Sequence, residues 1–177
     1  MKTKENLKSF FLVIIVMLLV GCAPSAEKIK MVPYIDYSTF TSSGRTIQIT
    51  EVKGGGEETQ GLSRIDNKSF KEALIDTLKR SNLFKGIYIN QTGDYLLHTE
   101  IISQKVEPGI SAYAALYVHY SLVKIKTKQV IWSENIFSQN NAFGANQGKD
   151  VLESVARDNL AQLIRKLRKI LARQNRK

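Results

Sequence analysis

The chain has 177 residues, enough for one domain of ordinary size and too few for two. Apolar residues make up 43% and charged residues 24%, a globular balance that excludes collagen-like, low-complexity and wholly disordered chains. Twenty-six Lys and Arg against sixteen Asp and Glu give a net charge of +10, and a single cysteine excludes both an intrachain disulfide and a zinc site built on several thiolates.

The first 22 residues carry the clearest signal. Lys2, Lys4 and Lys8 make a positive start, and Phe10 to Val20 is an unbroken apolar run. That run is too short to span a bilayer and has the length of a secretory signal core. It ends in Leu19-Val20-Gly21-Cys22, which resembles the lipobox of bacterial lipoproteins, with a small residue before the lipid-carrying cysteine. The resemblance implies a signal peptide over 1–21, diacylglycerol and further acyl chains (palmitate among them) on Cys22, and a membrane anchor. Several chains on one residue hold firmly where one does not. Ala23 in place of Asp implies, by similarity to enteric lipoproteins, the outer membrane and a periplasm-facing domain. Cleavage before Cys22 leaves 156 residues and, with three lysines and one glutamate removed, a net charge of +8. Residues 22–31 read as a lipidated tether and 32–177 as one domain.

Along that domain, Val32 to Tyr37 reads as an extended edge segment, because Pro33 cannot donate to a central ladder. Arg45 to Val52 alternates, with Ile47, Ile49 and Val52 inward, as a half-buried strand does. Gly54 to Asp66 is a loop. Its three glycines lack the spacing and the Lys-Ser/Thr pair of a phosphate loop, and Glu57-Glu58 read as solvated carboxylates. A helix capped by Asp66 or Asn67 follows, with Phe70, Leu74 and Leu78 on one face. Three strands come next, at 94–106, 112–125 and 129–138, joined at Pro108-Gly109 and Thr127-Lys128. Short links make them an antiparallel meander. Asn140 to Gly148 reads as a loop. A final helix over 149–173 carries an apolar stripe from Leu152 to Leu171. The expected fold is an α/β (α+β) two-layer sandwich: a four-stranded, mainly antiparallel sheet with two helices on one face, in the order β-α-β-β-β-α.

Several segments together resemble a family of small outer-membrane-type bacterial lipoproteins. They are Gly54 to Thr59, Asn67 to Leu74, Asp94 to Leu97, Val118 to Val123, Gln129 to Ser133 and Asn159 to Gln162. The resemblance runs from about residue 45 onward and rests on their order and spacing. Some members of that family bear the label UDP-N-acetylglucosamine acyltransferase. The hexapeptide repeat of such enzymes is absent from this sequence. The element order is more distantly similar to lipopolysaccharide-assembly lipoproteins and to auxiliary lipoproteins of ABC-type lipid transporters.

Candidate chemistry is sparse. If the Pro108-Gly109 turn is tight, residues summing to 217 pair, and His98 meets His119 with Glu100 nearby. Two imidazoles and a carboxylate suit zinc or copper; the other reading is a pair of exposed histidines on a polar sheet face. Tyr113, Tyr117, Tyr120 and Trp132 suit stacking on a ligand or packing in the sheet. No nucleophile elbow appears, and the lone cysteine is taken by lipid. The expectation is therefore no catalytic, cofactor or metal residues. Arg165, Lys166, Arg168, Lys169, Arg173 and Arg176 form a basic helix end, more charge than the helix dipole needs, and read as a docking patch. The function expected is a non-catalytic accessory protein of envelope assembly or transport. Its partners are the membrane through Cys22, an envelope protein, and an anionic lipid or glycan, with no nucleic acid. The alternatives are an acyltransferase-type enzyme and a binder of peptidoglycan or anionic glycolipid.

Overall fold

A computed structural model describes residues 26–56, 63–144 and 147–174. Its strands are β1 (Thr46–Lys53), β2 (Gly86–Tyr88), β3 (Tyr95–Glu107), β4 (Ser111–Lys124) and β5 (Gln129–Phe143). Its helices are α1 (Lys28–Met31), α2 (Asn67–Ser81) and α3 (Gln147–Gln174), with a 3-10 turn at Ile125–Thr127. One sheet runs β2-β1-β3-β4-β5. β1 lies parallel to both of its neighbours, and β3, β4 and β5 alternate in direction.

The expected sandwich is present in outline, with three corrections. The sheet has five strands instead of four, it is mixed, and the order is α-β-α-β-β-β-β-α. β2 is only Gly-Ile-Tyr and α1 only four residues, too short for any period to show. β5 also runs to Phe143, through residues expected in a loop. Ser111 to Ala115 at the start of β4 pair with Gln139 to Phe143 and supply the ladder that an Asn-rich segment would not form alone.

α2 starts where its cap predicts. The Asp66 carboxylate accepts from the Ser69 backbone N–H at 2.8 Å, and Asn82 ends the helix in the left-handed region at φ 52°. Gly54 closes β1 with φ +79°, and its missing side chain matters: a Cβ there would lie 2.0 Å from the Ile101 carbonyl oxygen. The glycine serves a close strand approach, not a phosphate.

The inward face of the sheet is apolar. Ile47, Ile49, Leu97, Ile101, Leu116, Val118 and Leu122 are buried together with Leu74, Leu78, Leu160, Leu163 and Leu167 of the helices. Trp132 lies partly buried against this core. Two bulges preserve the inward pattern where the chain would drift out of phase. An extra residue in β1 between Ile49 and Val52 turns Val52 inward. Another at Ile102-Ser103 in β3 turns Gln104 inward, where its side chain bonds both the N–H and the carbonyl of Ile65. One polar network crosses the core. The Tyr120 hydroxyl donates to Asn159 Oδ1 at 2.8 Å, Asn159 donates to the Ile136 carbonyl, and Ser138 donates to the Val155 carbonyl. Burial pushes the Tyr120 hydroxyl well above the usual tyrosine range.

Residues 26–31, expected in the tether, belong to the packed domain. Ala26, Met31 and Val32 are buried. The Glu27 N–H donates to Glu153 Oε1 at 2.6 Å, and Lys149 pairs with the Glu27 carboxylate at 2.7 Å. Burial raises the Glu153 carboxyl, against the pull of that N–H and of Lys30 and Lys149. Farther on, Arg168 lies over the Phe40 ring at 4.5 Å and donates to the Thr39 carbonyl. The N-terminal segment thus crosses the helix layer from one end to the other.

Candidate interaction surface

The helices cover one face of the sheet and leave the other open. On β4 the open-face residues are Tyr113, Ala115, Tyr117, His119, Ser121 and Val123. On β5 they are Ser133, Asn135, Phe137, Gln139, Asn141 and Phe143. These twelve neighbours contain no Asp, Glu, Lys or Arg, in a chain where such residues are 24% of the total. Phe137 is 50% exposed and Phe143 78% exposed, with Ile110 beside Phe143 at 90%. Tyr117 and Phe137 are directly paired across the strands and meet edge to face at 6.3 Å between centroids.

A chain of side-chain hydrogen bonds orders this face. Asn135 donates to the Tyr117 hydroxyl at 3.2 Å, and its carbonyl lies 2.6 Å from His119 Nδ1. His119 Nε2 lies 3.2 Å from the Ser133 hydroxyl, and Tyr113 donates to Gln139 at 3.1 Å. The side chains are thus pre-positioned at the surface, aromatic rings alternating with amides.

The β1–β3 half of the same face differs. Thr50, Glu51, Lys53, His98, Glu100 and His119 line a shallow groove of about 400 Å³ beside the β1 bulge. The expected pairing of His98 with His119 does not occur. Glu100 stands opposite His119, and Ser121 opposite His98. The link is a three-residue turn, Pro108 to Ile110, and the Ile102-Ser103 bulge shifts the register again, so the pairs below it sum to 219. Both His119 ring nitrogens already face partners, and among the described residues no three His, Cys, Asp or Glu gather as a metal site.

Of the other expected site residues, Tyr120 and Trp132 point inward and stack at 6.5 Å. In the basic helix end, Lys166 pairs with Glu134, and that hydrogen bond holds the Glu134 carboxyl below its usual range. Arg168 is engaged by Phe40 and Thr39. Arg165, Lys169 and Arg173 are exposed. Cys22, Glu57, Glu58 and Arg176 lie outside the described residues. The uncharged stripe itself escaped sequence reading because its end, Asn140 to Phe143, falls in the segment expected as a loop. The alternation Phe137, Gln139, Asn141, Phe143 was the available signal.

No helix among the described residues is long and apolar enough to cross a membrane. No family model and no curated protein sequence matches this chain. Solved structures do resemble it. Protein XCC0632 from Xanthomonas campestris, of family DUF330, is 8% identical with a TM-score of 0.64, over 82% of this chain and 94% of its own. The PelC dodecamer from Paraburkholderia phytofirmans is 15% identical with a TM-score of 0.53, over 72% and 90%. The hypothetical protein CT253 from Chlamydia trachomatis is 14% identical with a TM-score of 0.51, over 73% and 95%. Neither an acyltransferase nor a lipopolysaccharide-assembly protein is among these three names, so both parts of the expected relationship lack support here. At such identities the likeness shows the fold alone, shared over about three quarters of this chain and nine tenths or more of each of the three.

Proposed function

We propose that the protein is a lipid-anchored, non-catalytic accessory subunit of the bacterial envelope, periplasmic and outer-membrane-bound through Cys22, that docks a partner protein on the open face of β4 and β5. The observation that carries this reading is the uncharged aromatic and amide surface. Solvated sheet faces normally carry charge, and none is present across twelve neighbouring positions. Tyr, Phe, Asn, Gln and Ser are residues of adaptable protein-binding surfaces, with rigid rings for contact area and amides for hydrogen bonds. An enzyme would need convergent, perturbed polar groups in a cleft. The groove beside β1 is shallow and presents its charged side chains outward.

The anchor is tested by Cys22→Ser, which is expected to release the protein from the membrane fraction and change its mass. Unchanged fractionation and mass would contradict it. The surface is tested by placing a photo-crosslinking amino acid at Phe137 or Asn141 in cells, with Asp158 on the outer face of α3 as the reference. Adducts to a discrete envelope protein from the two sheet positions, and none from Asp158, support the reading. Adducts between copies of this chain would make the surface a self-association face instead, as the dodecameric state of PelC suggests for one protein of this fold.

A further inference from the structure

The topology sorts charge between the two ends of the sandwich. β1, β2 and β3 begin at the same end where β4 finishes, β5 begins, and α2 and α3 finish. Four segments meet there: 39–45, 79–86, 124–129 and 165–174. Hydrogen bonds knit three of them together, from Lys85 N–H to the Arg45 carbonyl, from Ser43 to Leu83 and from Arg168 to Thr39. These segments contain twelve Lys and Arg and no Asp or Glu. Acids beside them are already engaged: Asp36, which lines a depression with Arg80, accepts from the Ser38 N–H. Asp94 accepts from the Thr46 N–H and hydroxyl, and Glu134 pairs with Lys166.

The opposite end is balanced. Segments 26–30, 51–56, 63–72, 104–111 and 147–153 hold eight basic and seven acidic residues, many of them paired. Ala26 sits at this balanced end, bonded to the Arg64 carbonyl. The separation is large. α3 runs from one end to the other, and its 28 residues span about 42 Å at 1.5 Å each.

We infer that the basic end is a docking surface for an anionic polysaccharide, a linear chain with repeated carboxylate or phosphate groups, held away from the membrane to which the protein is tethered. Four features favour this occupant. The charge is spread over four segments and not gathered on one depression: one there is lined by Arg165, Arg168, Lys169 and Ala172, and another by Ser42, Ser43, Leu83, Arg168 and Leu171. A diffuse fence of cations suits a polyelectrolyte, which binds by releasing its counterions, and does not suit one small anion. Seven of the twelve residues are Lys, a type depleted in the cores of protein interfaces. The headgroups of the anchoring membrane lie near the balanced end, several Debye lengths of about 8 Å away when the sandwich stands upright. Only this last orientation rests on the anchored reading; the charge asymmetry stands without it.

The test uses the detergent-purified full chain and immobilised polygalacturonate as probe. Retention at low salt and release by rising salt are expected. Lys124→Gln/Lys126→Gln/Lys128→Gln in the turn, and separately Lys169→Gln/Arg173→Gln on α3, should each weaken binding about tenfold with circular dichroism and melting unchanged. Lys53→Gln/Lys68→Gln at the balanced end, with the same charge loss as the α3 pair, should weaken it far less. Absence of retention at low salt, equal loss from the control pair, or tighter binding to phosphatidylglycerol vesicles than to the polysaccharide would each overturn the inference. Because anchoring plays no part in this assay, its failure leaves the Cys22 result untouched.

Discussion

The two faces of the sheet are built from the same strands and obey opposite rules. On β4 the even-numbered residues, Ala112 to Leu122, are all buried, and the odd-numbered ones between them carry Tyr113, Tyr117 and His119 on the open face. The inward set is fixed by packing against α2 and α3 and tolerates little change. The outward set is covered by no helix among the described residues; Tyr117 meets Phe137 and Tyr113 lies under the neighbouring Lys105, yet the set itself avoids the charge that keeps ordinary surfaces apart. One face explains why the protein folds. The other is free to be explained by what it binds.

That contrast can be broken at graded cost. Leu116→Ala or Leu163→Ala, at fully buried positions, is expected to cost about 2–5 kcal/mol, read as a lower denaturant midpoint at unchanged slope. Asn159→Ala leaves the Tyr120 hydroxyl and the Ile136 carbonyl without their partner and should cost about 1–3 kcal/mol, which Tyr120→Phe in the same chain should partly restore. Asp66→Ala removes the α2 cap and should cost about 1 kcal/mol at neutral pH. Burial raises the Asp66 carboxyl, but the hydrogen bonds from the Ser69 side chain and backbone and from the Lys68 backbone outweigh it and hold the group below the usual aspartate range. Its stabilisation is therefore present above the unfolded value and lost as pH falls through the lowered native one, so the gap between wild type and Asp66→Ala should close in acid. Tyr117→Ser with Phe137→Ser, on the open face, should cost less than Leu116→Ala: the aromatic pair is worth about 0.5–1.5 kcal/mol beyond the limited area these part-exposed rings bury. A loss as large as that of Leu116→Ala would show that the open face belongs to the core after all.

Much of the inward face was legible in the sequence, because burial imposes a period. Ile47 and Ile49, Leu97 to Ile101, and the stripe from Leu152 to Leu171 announced themselves. What escaped is what lacks a period or depends on distant pairing. β2 and α1 are too short, and the end of β5 exists through its pairing with β4. The register placing His119 opposite Glu100 depends on a three-residue turn and a bulge that no local pattern marks. The basic end was seen only in its α3 portion, since Arg45, Lys85 and Lys126 come together only once the topology is known. The open face was hidden for a different reason. Its signature is a type of residue missing from two strands side by side, of which the alternation Phe137, Gln139, Asn141, Phe143 along β5 shows only half.

The most direct test is the yield of the crosslinked or co-purified envelope partner from cells expressing Tyr117→Ser/Phe137→Ser/Phe143→Ser at wild-type levels. The melting temperature and membrane fraction of that variant are measured alongside. The account predicts at least a tenfold loss of the partner with folding and membrane association retained. A partner recovered at the wild-type yield would contradict it, and would place the binding surface elsewhere on the molecule.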